Sequence, residues 1–335
     1  MIDFDSYMEM SEMVRSAQLY YRHGEQQSRI AEILGIPQAK VSRLLKQARE
    51  NEYIKINFNF PAILDLSVKL IERFNLRDAI VAPTGEADHL KEDLGWAAAR
   101  YFERIVGNGA KIGLSCGHTL YQMVAQIREG GKENLEIFPL ASDSTYESVD
   151  LFPNTLVGLL AAKYRPNVKA HALPAQILAT APNVEKWRKE ILASRAGEIF
   201  ASAHNVDVAF SGLGTINNDT PGFCAFAEQN GFPLKEIKKL GAVAEYNYVP
   251  IDKDGVSLAD KPELKKDKRF QEITNRILNV RLDTFRKLSA QHGKYIVCIA
   301  GGETKENGIR AVLKAKLANV LITDSETAVK LLNDN

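Results

Sequence analysis

Three cysteines in 335 residues, Cys116, Cys224 and Cys298, are too few and too scattered for a disulfide framework, and no CxxC pair offers a structural zinc site. Such usage suits a reducing compartment, so the cytoplasm is the expected location and neither a metal nor another cofactor is expected. No apolar run reaches membrane-spanning length, and the acidic start MIDFDSYMEM lacks the basic-then-apolar order of a signal peptide. A membrane is therefore not among the expected partners. Charge of one sign is missing too: 43 Lys and Arg against 42 Asp and Glu leave a net charge of +1. That excludes a histone-like coat of nucleic acid and confines any basic surface to one module. There is no low-complexity tract and no internal repeat. What remains, 45% apolar and 25% charged residues, is the composition of a globular chain long enough for two domains.

The most informative segment is QSRIAEILGIPQAKVSRLLK, residues 27–46. Ile30 and Leu34, then Val41, Leu44, Leu45 and Ala48, recur at helical spacing on either side of Leu34-Gly35-Ile36. Gly35 supplies the positive φ of a tight interhelical turn, Ala31 is small enough for a close helix crossing, and Pro37 fits the turn or the first helical position. Ser28 is a candidate cap for the first helix. The second helix leaves Gln38, Lys40, Ser42, Arg43 and Lys46 off its apolar stripe. Glutamine and arginine suit adenine and guanine edges, while lysine and serine suit phosphate oxygens. Ser28, Gln38, Lys40, Ser42, Arg43 and Lys46 are the candidate DNA contacts. Upstream, Met10, Met13, Val14, Ala17, Tyr20 and Tyr21 form the stripe of a supporting helix, and residues 53–58 alternate like a short wing strand. From Arg15 to Glu50, seven basic residues stand against three acidic ones, a local excess of +4. The expected module is a winged helix-turn-helix over residues 1–58.

Residues 61–75 read as a linking helix, with Leu64, Val68, Ile71 and Phe74 on one side. Beyond it, short apolar strands are expected at 79–82, 111–114, 135–140, 169–173, 207–211, 242–248, 295–300 and 319–323. Amphipathic helices fill the gaps, among them 92–106, 119–128, 154–164, 305–314 and 325–332. That alternation predicts an α/β domain over 59–335, its first stretch (59–76) the link, with a largely parallel sheet covered on both faces. Thr323 and Glu326 have the spacing of a capping box before the last helix. The charged run 261–269 reads as a solvated loop.

In such sheets ligands sit at the carboxyl ends of strands, over helix N-termini. Three strand ends are rich in small residues. The first carries Ser115, Cys116, Gly117, His118 and Thr119, whose amides and hydroxyls suit a phosphate or carboxylate. The second carries Gly212 and Gly214; the third carries Gly301 and Gly302 ahead of Lys305 at a helix start. Residues 113–117 also match G-x-S-x-G, the nucleophile elbow of α/β-hydrolases. Against a hydrolase, there is no HGGG-type oxyanion segment and no histidine after the final strand.

Taken together, residues 16–58, 111–120, 207–214, 241–245, 300–305 and 319–332 resemble, in order, the SorC family of sugar-responsive bacterial transcriptional regulators, relatives of the deoxyribonucleoside and central glycolytic gene regulators. The resemblance implies a C-terminal Rossmann-like domain sharing the fold of ribose-phosphate isomerase, glucosamine-phosphate deaminase and CoA-transferase. It implies binding, without turnover, of a sugar or phosphorylated sugar, and dimers or tetramers whose hold on operator DNA the effector alters. By motif matching, residues 115–119 would be a phosphate or hydroxyl site and Lys305 the cation for a second anionic group. Glu245 would meet effector hydroxyls, with Asn247 one strand step further on the same face.

The departures from the family are specific. Where the family has a Leu-x-Gly-Gly turn after the third strand, this chain has Leu140-Ala141-Ser142-Asp143. Asp143 would favour a hydroxyl or amine over a phosphate close by. The lysine with which some relatives form a Schiff base in this turn is absent. The segment after Glu245 also differs from the common pattern. The competing reading is an enzyme, isomerase-like or a G-x-S-x-G hydrolase, with an appended DNA-binding domain; Asp143 or Glu245 would then supply its acid/base chemistry.

Overall fold

The computed structural model describes residues 4–51, 53–54, 61–83, 89–143, 148–173, 183–216, 228 and 234–333. It divides into two units, Met1–Phe60 and Pro61–Asn335. In the first, α1 (Phe4–Ala17) runs into a π-helical turn, Gln18–Arg22, followed by α2 (Gln27–Leu34) and α3 (Gln38–Glu50). Gly35 closes α2 at φ 67°, its N–H donating to the carbonyls of Ala31 and Glu32. A side chain there would be strained. Pro37 caps α3 through its carbonyl, which accepts from Lys40 and Val41. Ile30 packs with Val41 and Leu45, Met13 packs with Leu44 and Ala48, and Ala17 touches both clusters. Ser28 is not the cap expected of it. The Gln26 carbonyl already accepts the first helical bond, from Ile30, so Ser28 lies inside the first turn of α2. Of the expected wing strand, residues 55–58 lie outside the described residues; Ile54 packs against Met13, Leu44 and Ala48.

The second unit begins with α4 (Ala62–Phe74). Its strands are β1 (Asp78–Ala82), β2 (Lys111–Leu114), β3 (Leu135–Pro139), β4 (Val168–Ala170), β5 (Val208–Ser211), β6 (Gly214–Thr215), β7 (Ala242–Tyr246), β8 (Val249–Asp252), β9 (Tyr295–Ile299) and β10 (Val320–Asp324). Helices α5 (Leu90–Ile105), α6 (His118–Gln126), α7 (Pro153–Ala162), α8 (Val184–Leu192), α9 (Arg195–Ala203), α10 (Leu234–Lys239), α11 (Pro262–Lys265), α12 (Lys268–Asn275), α13 (Leu282–Ser289), α14 (Glu306–Lys314) and α15 (Ser325–Leu332) connect them. Seven strands form one parallel sheet in the order β1-β10-β9-β5-β2-β3-β4. Alternation builds a core on each face: in β9, Ile296 and Cys298 enter one cluster and Val297 and Ile299 the other. The two free edges differ in kind. β4 is three residues long and partly exposed, with Lys169 on it, whereas β1 is five residues of mostly buried apolar side chains.

Two expectations are corrected here. The segment 242–248 is not one strand of the main sheet. β7 turns back on β8 through Asn247-Tyr248, both at positive φ (49° and 62°), and pairs with β6 in a separate three-stranded antiparallel sheet. This two-residue turn has the twist that right-handed strands require, although its second position lacks the usual glycine. The expected capping box is replaced by a simple cap. Asp324, the last residue of β10, caps α15 in place of Thr323, its side chain accepting from the Thr327 N–H.

Candidate functional site: the strand ends over β9, β5 and β2

The strand order explains why one edge of this sheet is special. From β2 the chain moves outward through β3 to β4, then returns to place β5 against the other side of β2 and continues through β9 to β10. The reversal lies between β2 and β5, the kind of position at which a crevice opens beyond the carboxyl ends of parallel strands. The three small-residue loops of the sequence follow β2, β5 and β9, which are consecutive neighbours in the sheet.

After β2, the Ser115 N–H continues the ladder to the Phe210 carbonyl, and Gly117 begins α6 with no side chain capping it. Thr119 is buried in the first turn of α6, and Cys116 packs against the cluster containing Ala141 and Ile237. Ser115 is 2% exposed and donates its hydroxyl to Asn247 Oδ1 at 2.8 Å. Asn247 in turn donates to the carbonyls of Leu140 (3.1 Å) and Val280 (2.9 Å). It therefore ties together the ends of β2 and β3 and the segment preceding α13, from a turn and not from the strand face expected of it. Glu245 is buried in β7 opposite Gly214, so the loop after β5 leads into the hairpin instead of directly into a helix.

After β9, Gly301 sits where an added Cβ would lie 2.1 Å from Asp324 Oδ2. Gly302 donates its N–H to Asp324 Oδ2 and Thr327 Oγ1, each at 2.9 Å. That amide, expected to face a ligand, is thus engaged by the end of β10. Asp143 is likewise engaged: its two oxygens accept from the Asn154 backbone (3.1 Å) and side-chain amide (2.9 Å), at the start of α7.

Three basic groups also lie in this region. Lys305 has no carboxylate partner among the described residues, since Glu303 pairs with Lys330 (3.4 Å) and Glu306 with Arg310 (3.0 Å). Burial pushes the Lys305 ammonium below its ordinary value; the neighbouring Cys298 opposes that shift and Lys91 adds to it. His118 is held below its ordinary value by burial, then by Lys91 and Lys305. Lys91, His118 and Lys305, from the starts of α5, α6 and α14, are near enough for the lysines to hold the His118 ring below its ordinary value and for Lys91 to do the same to Lys305. Lys91 and Asp324 were missed by sequence reasoning. Neither sits in a recognisable motif, and only the sheet order brings them to this edge.

On the N-terminal unit, α3 buries Val41, Leu44, Leu45 and Ala48 and exposes Gln38, Ser42, Arg43 and Lys46. Ser28 is exposed on α2. Lys40 differs from expectation: its ammonium is 2.6 Å from Glu12 of α1, which offsets the charge meant for a phosphate. Lys46 is 3.6 Å from Glu50, but both are largely exposed.

Residues 59–333 match the Sugar-bind family, described as "Putative sugar-binding domain". The deoxyribonucleoside regulator of Bacillus subtilis is 26% identical over 327 residues, 96% of this chain and 97% of the relative. The sorbitol operon regulator of Klebsiella pneumoniae is 26% identical over 332 residues, 96% of this chain and 97% of the relative. The crystal structure of full-length SorC from Klebsiella pneumoniae aligns with a TM-score of 0.70 and 24% identity, covering 96% of this chain and 98% of that one. With its sugar-binding domain matched almost end to end, and regulators of this kind aligned over nearly the whole length, the chain belongs to the SorC family of transcriptional regulators.

Proposed function

We propose that this protein reads operator DNA through α3 and that a sugar or sugar phosphate, bound at the carboxyl ends of β2, β5 and β9, controls that binding. The observation that carries this is the reversal of strand order between β2 and β5, with Lys305, His118 and Lys91 gathered beside it. A helix start without a side-chain cap and an unneutralised lysine favour an anionic group, and Glu245 supplies an acceptor for hydroxyls. The first unit acts as the helix-turn-helix, with Arg43 and Gln38 toward base edges and Lys46 toward phosphate. The second has a doubly wound topology that supports the likeness to sugar-phosphate isomerases at the level of fold.

The site binds without catalysis in this reading. Ser115 of the G-x-S-x-G segment gives its hydroxyl proton to Asn247 and no histidine takes that place, which argues against a nucleophile elbow. The working form is a symmetric cytoplasmic dimer or tetramer, since one recognition helix reads too few base pairs and two-fold partners would place two helices in successive major grooves. A thermal-shift screen of sugars and sugar phosphates on the full chain, followed by operator titration with each hit, tests the reading. A compound that raises the melting temperature in a concentration-dependent way and changes operator affinity supports it. Failure of every sugar and sugar phosphate to do both overturns it.

A further inference from the structure

A cleft of about 530 Å³, none of whose described lining residues belongs to the β2, β5 or β9 loops, opens between α8, α9 and α13. It is lined by Arg188, His204, Arg281, Asp283, Thr284 and Lys287, among others. Asp283, the one acid among the described lining residues, lies 3.6 Å from Lys287. Neither Arg188 nor Arg281 has a carboxylate partner among the described residues. Arg188 is fixed in place, one terminal nitrogen donating to the carbonyls of Asn275 and Ile277, each at 2.9 Å. Burial, and then the like charge of Arg281, push its guanidinium down to about 10. His204 commits Nδ1 to the Phe200 carbonyl at 2.7 Å, leaving Nε2 as its open nitrogen. A half-buried guanidinium with a second arginine lining the same cleft opposes folding on its own; a bound dianion removes that cost and meets the guanidinium fork geometry.

We propose that this cleft is a second ligand site, separate from the strand ends, that takes the phosphoryl group of a small phosphorylated molecule. The volume suits a ligand of sugar-phosphate or mononucleotide size. Arg188 and Arg281 hold the phosphoryl oxygens, and Thr284, at the start of α13, faces the same space. The site is tied to the strand ends by the chain between its two arginine contacts. There Leu278 accepts from the Ser142 N–H (3.0 Å), Val280 donates to the Leu140 carbonyl (2.8 Å), and Asn279 donates its side-chain amide to the Asn247 carbonyl (2.6 Å). Asn247 holds Ser115. An anion that steadies residues 275–281 therefore steadies the turn that positions the β2 loop. That is a route for coupling two sites through one shared segment, and the coupling must be reciprocal.

The test is calorimetric titration of the full chain with inorganic phosphate at constant ionic strength, chloride serving as the control anion. Wild type, Arg281→Gln and Lys305→Gln are compared, and melting curves without phosphate verify that each is folded. Arg281 is exposed, so its substitution leaves the core intact. Phosphate binding that persists in Lys305→Gln and weakens at least tenfold in Arg281→Gln is the expected result. Hydrogen exchange should also slow in residues 275–281 on adding phosphate to wild type, and not in Arg281→Gln. Equal phosphate affinity in wild type and Arg281→Gln, or complete loss in Lys305→Gln, overturns the second site. Lys305 does not line the cleft and Arg281 does, so phosphate held at the strand ends and phosphate held in the cleft are lost in different variants and the two readings fail separately.

Discussion

Ser115 and Asn247, 132 positions apart, share a 2.8 Å hydrogen bond that is buried at both ends. Through it the first turn beyond β2 depends on a hairpin turn belonging to a different sheet. Asn247 has no donor to spare, because its amide serves the Leu140 and Val280 carbonyls. A group this fully engaged holds the surrounding backbone in place, and at the proposed effector site a bound sugar would meet it only through the backbone it positions.

The first prediction follows from that exchange. Asn247→Asp keeps the shape but removes both donors, leaving two buried carbonyls facing a carboxylate. It should cost about 3 kcal/mol, roughly twice the loss expected for Ser115→Ala. Chemical denaturation of the three proteins measures this; equal stability of wild type and Asn247→Asp would refute the assigned network.

At the DNA surface, Arg43→Ala should cost about 1–3 kcal/mol of operator affinity and relax base preference. Lys46→Ala should weaken all sequences alike and reduce the salt slope by about one unit. Lys40→Ala should change the slope less than Lys46→Ala, since Glu12 already offsets its charge. Fluorescence anisotropy over a range of salt concentrations reads all three.

Lys305→Glu should abolish the response to effector while operator binding persists. The check is a titration of effector against operator-bound wild type and mutant. An unchanged response, or a preferred effector without negative charge, would replace the anion site with a neutral-sugar pocket.

His118 sets the sign of a pH dependence. Its folded value lies below the ordinary 6.5, so the unfolded chain takes the proton first. This group's contribution to the stability of the ligand-free protein is complete above 6.5 and diminishes as pH falls below it. A bound anion favours the protonated ring, so affinity for an anionic effector should rise as pH falls through the same window. Binding isotherms from pH 7.5 to 5.5 should show that rise in wild type and a smaller one in His118→Gln (the pH range spans the usual histidine titration, roughly 5–8).

Much of the fold was legible because period-two and helical patterns act locally. Residues 111–114 and 325–332 were read with the bounds they have, and Gly35 was assigned the turn it makes. The hairpin at 247–248 was not, since Tyr248 occupies a position where glycine is the usual signal and its strain is met by tertiary burial. Which loops gather was only half visible. The small residues after β2, β5 and β9 mark three strand ends, but their adjacency depends on pairing across 96 residues between β2 and β5, for example Ile112 with Val208. The engagement of Lys40 by Glu12 and of Gly302 by Asp324 was equally hidden, because each partner arrives from another element.

The pairing of β1 with β10 has a consequence for synthesis. Among the described residues, the first strand of the domain pairs only with the last, Asp78 opposite Val320, and α4 anchors to the same region through Arg73 and the Leu332 carbonyl. On the ribosome, β1 must wait for nearly the whole domain to be translated before it can join the sheet. The three helices of the first unit carry their own small cores and have no such wait. A late stop codon, upstream of β10, would therefore release a chain able to fold its N-terminal helices while the sheet of the second unit stays open.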